Sequence, residues 1–399
     1  MALQPSLRHL GGLSAGTPVT VRGRLVALID GGFRLRDHSG SVELAVDEDA
    51  PLGAWVQADG LWDGHTVQVE AWQIVQTPVG DFPALGGDWA RLQDRDGLGI
   101  QRLAKRAQAM REVRSFFDAR GFCELETPLA VPSPGLDLHL DAFPLHKTNS
   151  PRWLITSPEY QMKRALSAGL PRIYQLCHCF RRDESGVHHD PEFTMLEWYR
   201  SFAGSTEMME DTESLIEQLA LSLLGTTKLA SGVDVRAPWP RLRVSDALWQ
   251  HAGLHLQDVI HDEDLFFRTW VEAVEPHLGL ERPVFITHWP AQMASLARLV
   301  PDDPDYADRF EGYALGLELC NGFGELVDAE EQRRRLHRDR EARVQAGLPD
   351  YPLDERFLLA LEEGIPPSGG NALGLDRALM LLLDAQSIAE VMAFPESTR

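Results

Sequence analysis

The chain has 399 residues, 44% of them hydrophobic and 25% charged, with a formal net charge of −22. That length is enough for two domains and a large core, and the composition is that of an ordinary globular protein. So acidic a balance disfavours binding nucleic acid through a broad basic surface, although a local basic groove stays compatible with it. No apolar run reaches the roughly 20 residues of a membrane span, and Met1 to Leu13 carries no apolar stretch of the signal-peptide kind, so a cytoplasmic protein is expected.

In chain order, residues 17 to 76 alternate apolar and polar positions as strands do. Val19, Val21 and Leu25 open the first strand, Phe33 to Val46 reads as two strands around Ser39-Gly40, and Val56 to Leu61 and Thr66 to Val75 supply two more. Five short strands with a turn about every ten residues predict a small β-barrel over residues 1–80. Residues 1–90 hold five arginines, no lysine and eleven acids, which argues against a nucleic-acid-reading surface. Phe33 fits either a base-stacking position or the core. The Gly-, Pro- and Asp-rich residues 81–98 read as a linker. Leu103, Ala107, Met110, Val113, Phe116 and Phe117 recur at helical spacing, predicting a helix from about Ile100 to Ala119 that Gly121 stops. At Ser157-Pro158-Glu159, Ser157 starts a turn, Pro158 suits a first helical position and Glu159 the first turn.

The richest stretch is Tyr174 to Arg200. Two β-prone runs, Ile173 to Phe180 and Phe193 to Tyr199, flank a polar segment with Gly186 and Pro191, the pattern of two antiparallel strands joined by a long loop. Arg181, Asp183 and Glu184 leave the first strand together, His188, His189 and Asp190 crowd the loop, and Phe193, Glu197 and Tyr199 line the return strand. An Arg at a strand end grips a phosphate bidentately, a carboxylate accepts from an exocyclic amino group, and a Phe face stacks on a base. Together these are the contacts that the base and α-phosphate of ATP need. Cys177 and Cys179 alternate on the first strand and so share a face, which suits core packing better than zinc. With Cys123 and Cys320 they are read as reduced thiols.

Amphipathic runs at 206–224 and 262–278 predict helices. Glu318 and Glu325, seven apart around Asn321-Gly322, read as two carboxylates on strand segments facing each other across a turn, suited to a divalent cation and a substrate amine. Arg333 to Arg343 reads as a solvated, charged helix. Gly369 to Leu383 is a glycine-bearing strand running into an apolar helix, with Arg377 at the helix start to stack on adenine and reach a phosphate.

The run Phe180-Arg181-Arg182-Asp183 and the stretch Pro191-Glu-Phe-Thr-Met-Leu-Glu-Trp-Tyr-Arg200 resemble motif 2 of the class II aminoacyl-tRNA synthetases, in the lysyl branch and most closely in the synthetase paralogues that attach (R)-β-lysine to elongation factor P. The helix, strand and Pro128 are similar to motif 1, and Gly369 to Leu383 to motif 3. The first 80 residues resemble the OB-fold barrel appended to the lysyl, aspartyl and asparaginyl enzymes. The resemblance implies an α+β fold over residues 99–399, an antiparallel sheet flanked by helices, with an OB-like β-barrel before it and a homodimer formed through motif 1. It implies a two-step reaction: a lysine-like amino acid attacks ATP to form an aminoacyl-adenylate, and the acyl group then passes to an acceptor. ATP contacts fall on Arg181, Arg182, Asp183, Glu184, Asp190, Phe193, Glu318, Leu319, Gly374 and Arg377, of which Arg181 and Arg377 are catalytic. The amino acid falls to Ser157, Pro158, Glu159, Tyr199, Glu325 and Ala372, and Mg2+ to Glu318 and Glu325. Asp183 stands where the family pattern has Glu, so the adenine contact is altered or shared with Glu184. Ala372 stands where lysyl-tRNA synthetases carry Gly. Three readings stay open: a ligase acting on elongation factor P, a short synthetase charging tRNA, and a non-catalytic amino-acid-binding paralogue.

Overall fold

The computed structural model describes residues 3–138, 140–146, 150–294 and 296–399. The chain divides into two compact units, Met1–Lys105 and Arg106–Arg399. In the first, β1 (Thr17–Ile29), β2 (Gly32–Arg36), β3 (Ser41–Ala45), β4 (Trp55–Trp62) and β5 (Thr66–Gln76) close into a barrel in the order β1-β2-β3-β5-β4. All neighbours are antiparallel except β3 and β5. Strand alternation sends Val19, Val21, Leu25, Leu35, Leu44, Val56 and Val67 inward. Phe33 is with them, buried and 5.8 Å from the Trp72 ring, so it is a core residue and not a base-stacking one.

The long helix α1 (Asp88–Asp118) begins twelve residues earlier than the periodicity from Ile100 suggests, so the expected linker 81–98 is helical from Asp88 onward. Its start is held by Asp88 in the first turn, which suits the positive end of the helix dipole, and by Trp89 packing against Phe82 (5.6 Å) and Trp55 (6.1 Å). The helix continues past Gly97, which sits at φ 82°, and Gly99, residues that read as breakers in isolation.

The second unit continues with β6 (Cys123–Glu124) and a small sheet of β7 (Ala130–Val131), β8 (Pro144–Leu145) and β9 (Arg152–Leu154). Then come α2 (Glu159–Ser167), β10 (Arg172–Phe180), β11 (Glu192–Ser201), α3 (Ser205–Leu224), β12 (Arg241–Arg243), α4 (Val244–Ala252), α5 (Leu256–Val259), α6 (Glu263–Thr269), β13 (Val284–Pro290), β14 (Leu299–Val300), β15 (Asp303–Ala314), β16 (Leu317–Gly324), α7 (Ala329–Gln345), α8 (Glu355–Glu363), β17 (Ser368–Gly374) and α9 (Leu375–Leu382). The main sheet runs β12-β13-β15-β16-β17-β11-β10-β6, with β14 paired to β15. It is antiparallel apart from β6/β10 and β12/β13. Phe117 of α1 stacks on Tyr174 of β10 at 4.6 Å and lies 5.5 Å from Trp198 of β11, and α3 and α9 cover the same face.

Three expectations change here. The run 262–278 is not one helix: α6 ends at Thr269, and a π turn and a 3-10 turn follow, with Pro276 unable to donate a helical hydrogen bond. Asn321-Gly322 is not a turn but the middle of β16. The turn is Leu315-Gly316, both at positive φ (53° and 72°), the two-residue geometry that matches strand twist. Asn321 is kept in the strand by donating to Glu311 (3.1 Å), and Gly322 by the Phe310 ring lying where a Cβ would point. Finally, α7 is not a solvated face throughout. Arg343 is fully buried, donating to the Leu140 carbonyl (2.9 Å) and the Asp141 carboxylate (2.6 Å), and Arg335 is buried on Glu331 and the Ala297 carbonyl. Among the described residues no helix is long and apolar enough to cross a membrane.

Candidate active site

The register of the main sheet decides which side chains meet. β11 lies between β10 and β17, and β16 follows. Glu197 therefore pairs with Ala372, which pairs with Asn321, while Met195 pairs with Gly374 and Tyr199 with Gly370. Because side chains alternate, these rows share one face with the end of β10, where Arg181 emerges.

A cleft of about 580 Å³ opens there, with Arg181, Glu184, His189, Phe193, Glu318 and Arg377 among its walls. The Arg181 guanidinium sits 5.1 Å over the Phe193 ring and 3.8 Å from the Glu184 carboxylate, and its Nε is buried without an acceptor. Arg377, in the first turn of α9, donates to the Glu318 carbonyl (3.2 Å) and the His188 carbonyl (3.3 Å), and its Nη2 lies 2.5 Å from His189 Nε2. Burial, and then the Arg377 charge, push His189 down to about 4, so the ring is neutral near pH 7 and its Nε2 accepts from the guanidinium. The Glu318 carboxylate is 3.6 Å from the same guanidinium. The first turn of α9 is fixed by Asp376, which accepts from the Thr194 N–H (2.7 Å) and pairs with Arg106. Asp190 accepts from the Glu192 and Glu396 N–H groups and pairs with Arg399 at 2.8 Å, closing the loop side of the cleft. Leu319 and Gly374 complete the wall.

A second cleft, about 900 Å³, adjoins it, with Ser157 and Glu159 on one side. Arg181, Met195, Asn321 and Ala372 line both clefts and so mark their junction. Beneath the second cleft lies a buried acid cluster. Ser157 Oγ donates to Glu197 (2.7 Å), the Tyr199 hydroxyl donates to Glu197 (2.6 Å), and Lys163 Nζ stands 2.6 Å from Glu159 and 2.5 Å from Glu325. Burial raises the Glu197 carboxyl to about 7, Glu159 adding to the effect, and raises Glu325 despite the attraction of Lys163. Burial pulls Lys163 down, but Glu159 and Glu325 outweigh it and hold the ammonium above its ordinary value.

The structure brings together Arg181, Glu184, Asp190, Phe193, Glu318, Leu319, Gly374 and Arg377 in one cleft and Ser157, Glu159 and Ala372 in the other. The structure places four sets of the expected residues differently from the expectation. Asp183 adopts φ 68°, which turns its carboxylate out to Arg182 at 3.2 Å, so Glu184 is the acid that faces the cleft. Arg182 leaves the nucleotide side for Asp141 at 2.7 Å, and Asp141 is also held by Arg343. Pro158 caps α2 and lines neither cleft. Glu325 and Tyr199 sit in the buried cluster under the second cleft, and a Glu325 carboxylate seated on Lys163 is not free to complete a metal site with Glu318. Among the described residues no group of three or more His, Cys, Asp or Glu is gathered for a metal. Lys163, Glu197, Met195, Asn321, His189 and Asp376 had no assigned role. Lys163 was legible as the i+4 partner of Glu159, and Glu197 as sharing a strand face with Tyr199. Asn321 and Met195 reach the site only through cross-strand register, which local spacing does not carry.

The family model for class II tRNA synthetases (D, K and N) matches residues 95–398. Curated relatives named elongation factor P–(R)-β-lysine ligase are similar over most of the chain. That of Klebsiella pneumoniae (strain 342) is 43% identical over 310 residues, 74% of this chain and 95% of the relative. That of Proteus mirabilis (strain HI4320) is 42% identical over 324 residues, 77% and 97%, and that of Edwardsiella ictaluri (strain 93-146) 42% over 313 residues, 74% and 95%. The barrel strands, ending at Gln76, lie outside the family match. From Arg181 on its strand end to Arg377 on α9, the site is built within the matched region, and the chain belongs to the class II tRNA synthetases of the D, K and N group.

Proposed function

We propose that this protein is an ATP-dependent aminoacyl ligase that adenylates (R)-β-lysine and transfers it to a lysine of elongation factor P. The observation that carries the reading is the meeting of two unlike clefts at Arg181 and Ala372. One offers an aromatic face, two guanidiniums and an acid. The other offers carboxylates over a buried acid cluster, where substrate ammonium groups find partners. The names of the relatives support both the amino acid and the acceptor.

In the first step the substrate carboxylate attacks the α-phosphorus of ATP. A carboxyl O–P bond forms, the P–O bond to pyrophosphate breaks, and pyrophosphate leaves. Arg181, with its buried, unpartnered Nε, is suited to the α-phosphate, and Arg377, held by neutral His189, to the charge that develops beyond it. In the second step the acceptor amine attacks the acyl carbon, an amide forms and AMP leaves. Glu318, a carboxylate at the cleft, would help hold Mg2+ beside the phosphates; among the described residues no group of three or more His, Cys, Asp or Glu forms a cage of its own. The ion would supply neutralisation of phosphate charge there. Catalysis by the chain's own groups is then alignment and charge stabilisation.

The barrel order, with β3 parallel to β5, supports an OB-like barrel. That barrel is the observation favouring a tRNA-charging enzyme. Its acidic composition and the burial of Phe33 favour a barrel without anticodon reading. We further propose a homodimer through α1 and the segment to Pro128, and a cytoplasmic enzyme with its four cysteines free.

The test is ATP–pyrophosphate exchange driven by (R)-β-lysine and by L-α-lysine in the wild type, Arg181→Ala, Arg377→Ala and Ala372→Gly. Both arginine variants lose exchange, and Ala372→Gly gains on α-lysine, since one methyl in a close-packed pocket is worth about 1–3 kcal/mol of discrimination. Near-normal exchange in either arginine variant would remove the reading.

A further inference from the structure

We propose that Lys163, which lines neither cleft, acts as a positioning residue that matches the buried pocket to a substrate bearing two ammonium groups. The inference rests on the proposed function and adds to it the residue that sets the charge requirement.

Lys163 is almost fully buried, and its ammonium bridges carboxylates from separate elements: Glu159 at the start of α2 (2.6 Å) and Glu325 just beyond β16 (2.5 Å). β11 contributes the third acid, Glu197, held by the Ser157 and Tyr199 hydroxyls. The Tyr199 and Phe357 rings flank the ammonium at 6.0 and 5.8 Å. Lys163 Nζ stands on Glu325 Oε2, while Glu325 Oε1 is buried without a donor of its own. That oxygen is an acceptor that a bound ammonium would satisfy.

The charge balance follows from these residues. Glu159, Glu197 and Glu325, if ionised, carry three negative charges, and Lys163 offsets one. Two remain, the number of ammonium groups on a lysine-like substrate. Buried uncompensated charge is costly, so the empty pocket holds protons instead, in line with the raised Glu197 and Glu325 carboxyls. A diammonium ligand replaces those protons, while a monoammonium ligand leaves one carboxylate unmatched. Without Lys163 there are three acids for two ammonium groups and no bridge fixing the spacing of Glu159 and Glu325. The charged and titratable groups facing Lys163 are Glu159 from α2, Glu197 and Tyr199 from β11, and Glu325.

The experiment compares wild type, Lys163→Met and Lys163→Arg by calorimetric binding of cadaverine and pentylamine across pH, with ATP-induced thermal stabilisation as the check that the nucleotide cleft is intact. Exchange with (R)-β-lysine and with ε-aminocaproate is read alongside. Wild type is expected to prefer the diamine and to release protons on binding it. Lys163→Met should lose about tenfold or more of that preference and shift the pH dependence of KM with little change in kcat, and Lys163→Arg should recover part. An Lys163→Met protein that is stabilised by ATP as wild type is, yet keeps the diamine preference and pH profile, overturns the proposal. Absence of exchange with every diamino acid in the wild type overturns the proposed function instead, and the diamine comparison still decides the role of Lys163.

Discussion

Two adjacent acids leave the hairpin strand, and one backbone angle decides which of them faces the cleft. Asp183 sits at φ 68°, a left-handed conformation that Asp tolerates better than most residues, and its carboxylate faces Arg182 and solvent. Glu184 then falls into the cleft beside Arg181. Glu184→Gln is expected to raise the KM for ATP about tenfold in pyrophosphate exchange, near 1.4 kcal/mol and at the upper end of the range for an ordinary hydrogen bond. Asp183→Asn should stay within about twofold, as surface substitutions do. The opposite ranking would return the adenine contact to Asp183. The sequence placed both acids at the end of β10 but could not separate them, because the difference lies in a turn torsion and not in residue type. Lys163 shows the same limit. Its i+4 partner Glu159 was legible, whereas Glu325 reaches it only through the folded sheet.

At the scale of elements, β17 carries the second cleft's floor. Gly370 pairs with Tyr199 on one side and Phe323 on the other, and a Cβ built there would collide with the Glu325 carboxylate and the Tyr199 ring. Gly370→Ala is therefore expected to raise the KM for the amino acid strongly while ATP-induced stabilisation persists, since Gly374 and Arg377 lie at the other end of the strand. Overpacking of this kind costs about 1–3 kcal/mol, readable as a lower melting temperature. An unchanged amino-acid KM would show that the cluster under β17 does not bind the substrate. The β10–β11 hairpin, α3 and the β17–α9 unit were legible because each is a local pattern of period and turn residues. The Glu318–Glu325 pair was misplaced because Asn321-Gly322, a strong turn signal alone, is held in a central strand by Glu311 and Phe310. The buried arginines of α7 were missed because their acceptors are loop carbonyls and a carboxylate far away in sequence.

For the whole molecule, the barrel is the part without a counterpart in the family match, and the alignments already take 95–97% of the relatives' length. A chain beginning at Asp88, keeping all of α1, should retain β-lysine-driven pyrophosphate exchange within about threefold, since a domain with its own core folds on its own. Loss of exchange without loss of folding would assign the barrel a part in catalysis. The most direct test of the central claim is the intact mass of elongation factor P after incubation with this protein, ATP, Mg2+ and (R)-β-lysine, beside a parallel charging reaction with lysine tRNA. Addition of one β-lysyl group to elongation factor P, abolished by Arg181→Ala, with the tRNA uncharged, is the expected result. An unmodified elongation factor P and a charged tRNA would contradict it.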